Sequence, residues 1–268
     1  MAYRVGFIGA GSMGGALLER MTKGDETIKF AAYDVNSKCL DQLSEFINFD
    51  IESSAVSLVE NSDIIILAVK PQYCKEVLFD IKESFNENKI LVSVIVGLPI
   101  SFYKNILGDK VKVVRTMPNT PALVGEGMTL VSFDDLIENK EKELILKLFS
   151  HVGKIEELNE NLMCEVTALT GSSPAYVFMF IEAMADAAVQ SGIPRQLAYK
   201  LASQAVLGSA KMVLDTGRHP AELKDMVCSP AGTTIEAVVA LEREGFRNAV
   251  ITAMNECTRR AKEIADGI

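Results

Sequence analysis

A chain of 268 residues, 49% of them hydrophobic, has material for one large domain or two modest ones and for a sizeable core. A formal net charge of −9 without a Lys/Arg cluster argues against nucleic acid as a partner, and no apolar run approaches the length of a membrane span. Two histidines, His151 and His219, and five scattered cysteines at 39, 74, 164, 228 and 257 leave no metal-type spacing and no Ser-His-Asp triad. The histidines read as surface or turn residues and the thiols as reduced. With a strand pattern starting almost at the N-terminus and no signal peptide, a cytoplasmic protein is expected.

The first strand-like run, Tyr3–Ile8, passes straight into Gly9-Ala10-Gly11-Ser12-Met13-Gly14. A helical pattern follows over Ser12–Thr22. In such a G-x-G-x-x-G turn Gly9 permits the tight bend, Gly11 lets the backbone approach a pyrophosphate, and Gly14 lets helix and strand pack closely. Free N–H groups at the helix start and the helix dipole favour the phosphates. The next strand, Lys29–Tyr33, ends at Asp34, about twenty residues past Gly14, where a carboxylate can accept from a ribose hydroxyl. The run Ile8 to Gly14 together with Asp34 is therefore the expected dinucleotide cradle.

Helix patterns at Ser37–Ile47, Ser54–Glu60 and Gln72–Phe85 alternate with strand patterns at Ile64–Val69, Ile90–Val96 and Lys112–Thr116. Their strand cores are rich in apolar residues, as parallel strands buried on both faces require. Further strands are expected at Met128–Ser132 and Gly153–Leu158, flanking a helix over Asn139–Ser150. This is a Rossmann-type doubly wound α/β pattern, assigned to residues 1–159. From 160 to 268 strand signals largely stop. Helices are expected over Leu162–Ser191, broken near Gly171-Ser172-Ser173-Pro174, then from Pro194 to Thr216, over Pro220–Val227, Thr233–Glu242 and Phe246–Ile264. Small residues such as Ala183, Ala187, Ala202 and Gly208 permit close helix approach. A bundle this short buries little alone, so an intertwined dimer is expected.

Ligands in such sheets bind beyond the carboxyl ends of the strands. Ala68-Val69-Lys70-Pro71 emerges there, as do Val94, Ile95 and Val96, whose backbone is placed to line a nicotinamide. Thr116 and Asn119 offer polar groups nearby, with capping an equal explanation for Asn119. In the run Leu223 to Glu236, Thr233 and Glu236 have capping-box spacing. Ser229, Gly232, Thr233 and Thr234 would then surround a helix N-terminus suited to a small carboxylate; capping alone explains Ser229 and Thr233 equally well.

The Gly9–Gly14 loop, Ala68-Val69-Lys70-Pro71, Arg115-Thr116-Met117-Pro118-Asn119-Thr120-Pro121, Gly171-Ser172-Ser173-Pro174-Ala175-Tyr176 and the Leu223–Glu236 run occur in one order. Together, and over essentially the whole chain, they resemble the pyrroline-5-carboxylate reductase family. The Leu223–Glu236 run is the most specific part. The resemblance implies reduction of 1-pyrroline-5-carboxylate to L-proline by NADPH or NADH. It implies an all-α dimerisation domain and an active site built from both subunits, and larger assemblies of dimers are common in the family. By position, Ser229, Gly232, Thr233 and Thr234 would hold the substrate carboxylate, with Thr234 on the imine nitrogen. Lys70, Pro71 and the Ser93–Gly97 backbone would line the nicotinamide.

Three departures from the family pattern stand out. Tyr33-Asp34-Val35-Asn36 replaces small polar residues and is expected to tilt the cofactor toward NADH, with Lys38 a partial offset. Ser173 stands for a glycine, and Val94-Ile95-Val96 is bulkier than usual. The alternative is an NAD-dependent β-hydroxyacid dehydrogenase-like enzyme. That reading needs a catalytic lysine on an interdomain helix, and Glu165 to Ile181 contains none. A non-catalytic nucleotide sensor is a further alternative, for which the Ser229–Thr234 cradle is unnecessary.

Overall fold

A computed structural model describes residues 4–266. Tyr3, the predicted start of the first strand, lies outside them. The chain divides into two compact units, one running to Gly171 and resuming at Thr258, the other Ser172–Cys257.

The first unit alternates β1 (Arg4–Ile8), α1 (Ser12–Gly24), β2 (Lys29–Tyr33), α2 (Ser37–Ser44), β3 (Asp50–Ile51), α3 (Ala55–Glu60), β4 (Ile64–Leu67), α4 (Pro71–Ile81), β5 (Ile90–Ser93), α5 (Ile100–Leu107) and β6 (Lys112–Met117). It continues with β7 (Gly127–Phe133), α6 (Asn139–Ser150), β8 (Gly153–Glu157) and α7 (Met163–Val166), the last running into a π-helical turn, Thr167–Gly171. The strands form one sheet in the order β3-β2-β1-β4-β5-β6-β7-β8, parallel except for the β6–β7 pair. Chain order reverses beside β1, between β2 and β4, so a crevice opens at the carboxyl ends of those strands.

Strand periodicity explains the two cores. In β4, Ile64 and Ile66 join Val5, Phe7, Leu17 and Leu18 on one face. Ile65 and Leu67 join Leu58, Leu78, Leu91 and Tyr103 on the other. With period-2 side chains, a strand covered on both faces must be apolar throughout. Ser54 starts α3 as its cap, accepting from the Ser57 amide at 3.0 Å.

The second unit is helical: α8 (Ser173–Gln190), α9 (Arg195–Thr216), α10 (Pro220–Val227), α11 (Thr233–Arg243) and the first part of α12 (Phe246–Asp266). Few of its apolar side chains are buried in the single chain. Phe178, Met179 and Leu207 stand open, and Leu214 is 82% exposed. An apolar surface of this extent marks an interface. Among the described residues no helix is long and apolar enough to cross a membrane.

Candidate active site

The glycine loop follows from close packing. Gly9 has φ +96°, and its N–H donates to the Tyr33 carbonyl at 2.9 Å. A Cβ on Gly9 would lie 2.7 Å from the Ala68 carbonyl oxygen, and one on Gly14 would lie 2.1 Å from that of Gly9. Neither position has room for a side chain. Gly11 differs: it is exposed, and a Cβ there would meet nothing within 4 Å. Gly11 is also the N-cap of α1 and supplies no side-chain acceptor, so the first amides of the helix, on Ser12, Met13 and Gly14, keep their donors for an anion. Open space over a bare helix start fits a pyrophosphate.

Asp34 reaches this loop from the end of β2. One carboxylate oxygen accepts from the Ala10 amide at 2.7 Å and the other from Asn36 at 2.8 Å. Beside it a cavity of about 550 Å³ is lined mainly by Tyr33, Val35, Val56, Val69, Tyr73 and Val77, with Ser54, Glu76 and Asp80 also in its wall, a largely apolar slot of the size that holds small ligands.

Both predicted strand ends at this edge are shorter than their apolar runs suggest. β4 stops at Leu67, leaving Ala68, Val69 and Lys70 as a loop; Lys70 is exposed and occupies the N-cap position of α4 without a side-chain capping bond, with Pro71 in the first turn. β5 stops at Ser93, whose hydroxyl captures the Ile95 amide at 3.1 Å. Val94, Ile95 and Val96 therefore belong to a turn, in which Ile95 is buried and Val96 43% exposed. Gly97 follows at φ +90°, and a Cβ there would lie 3.1 Å from the Ile264 side chain.

In the helical unit, Ser229-Pro230-Ala231-Gly232 forms a turn closed by the Gly232 amide and the Ser229 carbonyl at 3.0 Å. Ala231 holds φ +56°, a left-handed conformation costly for a residue with a Cβ. The expected Thr233–Glu236 capping box does not form. Gly232 is the N-cap of α11, with ψ 170°, and no side chain caps the helix. Ser229 Oγ lies over Gly232, only 2.2 Å from where a Cβ would stand. The hydroxyls of Ser229, Thr233 and Thr234 make no hydrogen bond among the described residues, so they and the bare amides of α11 stay available to an anion.

Other candidates have structural work. Thr116 Oγ1 donates to the Ser93 carbonyl at 3.0 Å. Asn119 donates to the Thr170 carbonyl at 3.0 Å and accepts from the Met128 amide at 2.9 Å. His151 stands in the turn that ends α6, as the turn reading expects, half-buried against Gly24, and its Nε2 has no partner among the described residues. Helix α5 and its Tyr103 were missed in the sequence, although Ile100, Tyr103, Ile106 and Leu107 have helical spacing behind Pro99.

Fold and cradles define a Rossmann-type oxidoreductase with a helical second unit. Residues 160–264 match the family model described as pyrroline-5-carboxylate reductase dimerisation, and residues 4–97 one described as NADP oxidoreductase coenzyme F420-dependent. The chain is 44% identical to pyrroline-5-carboxylate reductase of Escherichia coli, covering 99% of both chains, and 41% identical to that of Methanosarcina acetivorans, covering 97% of both. A crystal structure of Plasmodium falciparum pyrroline carboxylate reductase with NADP bound matches with TM-score 0.90 at 33% identity, over 98% of each chain. The chain belongs to the pyrroline-5-carboxylate reductase family.

Proposed function

We infer that this chain reduces 1-pyrroline-5-carboxylate to L-proline with NADPH or NADH, the last step of proline synthesis. Family membership over the full length carries this reading. The two cradles fit the two ligands it requires. When bound, the reduced nicotinamide supplies the hydride. A protonated cyclic imine is already electrophilic, so the protein's main task is positioning.

The amides of Ser12, Met13 and Gly14 take the pyrophosphate, with Gly11 leaving room for it. The Tyr33–Val69 slot takes the adenosine end, and Asp34 faces the ribose and favours NADH. Lys70, Pro71 and the Val94–Val96 backbone line the nicotinamide. At the start of α11, Ser229, Gly232 and Thr233 hold the substrate carboxylate. Thr234 accepts from the N–H of the protonated imine, which fixes the ring. Electrons of the C=N bond pass to nitrogen as hydride reaches carbon, leaving a secondary amine.

The dinucleotide domain is assigned to 1–159 and the dimerisation and substrate domain to 160–268, the latter close to the family-model match. The exposed helical faces support a homodimer, with larger assemblies of dimers built on it. A cytoplasmic location accords with the scattered cysteines, none of which is disulfide-bonded among the described residues. Incubation of the purified protein with the imine and either reduced dinucleotide tests the reaction. Proline should form in step with loss of the reduced-nicotinamide absorbance; dinucleotide binding without turnover would overturn it.

A further inference from the structure

The nicotinamide-side turn hangs from one buried hydroxyl. Ser93, the last residue of β5, is fully buried. Its Oγ lies 2.5 Å from the Tyr103 hydroxyl and accepts from the Ile95 amide at 3.1 Å. Its carbonyl accepts from Thr116 Oγ1 at 3.0 Å, and the Val94 amide donates to the Leu67 carbonyl at 3.2 Å. Tyr103 projects from α5 and is itself fully buried. Burial pushes its phenol far above the usual range, with neighbouring Cys74 adding to the shift. Burial likewise pushes the Cys74 thiol up to about 12. The whole array is thus neutral near pH 7, and its hydrogen bonds do not depend on titration. No step of the reaction uses it.

We propose that Tyr103 is a positioning residue for the nicotinamide half of the cofactor. Its hydroxyl fixes the Ser93 rotamer, Ser93 Oγ fixes the Ile95 amide, and the amide fixes the Val94–Val96 backbone. Without the phenol oxygen, Ser93 loses its side-chain partner and can rotate. Ile95 is 4% exposed, so its amide would then be a buried donor without an acceptor. The turn would relieve that by shifting. The inference rests on the assignment of this turn to the nicotinamide.

Tyr103→Phe removes one oxygen and keeps the ring in its apolar cluster. The test compares binding of NADH and of ADP-ribose, which lacks the nicotinamide, to wild type and variant, together with proline formation. One lost hydrogen bond translates into about a 3–10-fold rise in the Kd of NADH, with ADP-ribose unchanged. Ser93→Ala should show the same split, and the double variant should add little to either; Ser93→Ala also serves should Tyr103→Phe fail to fold. Equal weakening of both ligands would mean a merely structural role, and no weakening of either would also overturn the proposal. Wild-type protein that binds NADH but forms no proline would sink the reductase reading while the NADH and ADP-ribose ratio still judged Tyr103. Wild type that binds neither ligand would overturn both.

Discussion

The Ala10 amide donates to the Asp34 carboxylate at 2.7 Å, tying the glycine loop to the end of β2. Asp34 is thus a brace as well as a charge beside the expected ribose. The two roles separate by substitution. Asp34→Asn removes the charge and keeps one acceptor, for Ala10, while the Asn36 amide loses its own; Asp34→Ser removes the charge and both acceptors. Each should raise the kcat/KM ratio of NADPH to NADH about tenfold, equivalent to about 1.4 kcal/mol. Asp34→Ser should lower stability by about 1–2 kcal/mol, and Asp34→Asn by less, because the serine loses both charge-assisted hydrogen bonds whereas the asparagine keeps one neutral bond to Ala10. Steady-state kinetics with both dinucleotides and urea melts check this, and an unchanged ratio would remove the tilt toward NADH.

Gly11 and Gly14 should fail differently. Gly14→Ala puts a Cβ 2.1 Å from a backbone oxygen and should cost about 3 kcal/mol of stability. Gly11→Ala meets nothing within 4 Å, so stability should hold within about 1 kcal/mol. Its methyl group nevertheless enters the pyrophosphate space, and dinucleotide Kd should rise about tenfold or more, a loss of about 1.4 kcal/mol. Denaturation and binding curves on both variants distinguish the two cases.

Gly232→Ala sets a methyl group against Ser229 Oγ and displaces that hydroxyl from the start of α11. The KM for the imine should rise about tenfold or more while dinucleotide Kd stays constant. A change in the dinucleotide Kd instead would place the substrate carboxylate elsewhere.

Asp25 at the end of α1 meets Lys147 of α6 at 2.5 Å. The Lys147 hydrogen bond, then that of Thr27, holds its carboxyl down at about 2. A lowered folded-state pKa adds stability above the unfolded value near 4, and that stability is lost as pH falls toward 2. Half-exposed Lys147 reduces the gain, so Asp25→Asn should destabilise by about 1–2 kcal/mol at pH 7. The gap to wild type should close between about pH 4 and pH 2 in denaturant titrations. A gap independent of pH would assign the effect to packing.

Apolar runs made β1, β2 and β4 legible, and the glycine spacing made the loop so, because both patterns are local. The two-residue β3 carries too little pattern to see. The β5 run continues to Val96 in composition, whereas the strand ends at Ser93 because a side-chain hydroxyl takes the Ile95 amide. Thr233 and Glu236 have the spacing of a capping box, but the turn from Ser229 places Gly232 at the cap instead. The bond between Ala10 and Asp34, and the stack of Cys74, Tyr103 and Ser93, join distant segments and leave no periodic trace.

Hydride transfer is tested most directly with reduced dinucleotide deuterated on the transferable position of the nicotinamide C4, the imine, and mass and NMR analysis of the proline formed. Deuterium should appear at the ring carbon bonded to nitrogen that lacks the carboxylate, one atom per dinucleotide oxidised. Proline without deuterium, or oxidation without proline, would contradict direct reduction of the imine by this chain.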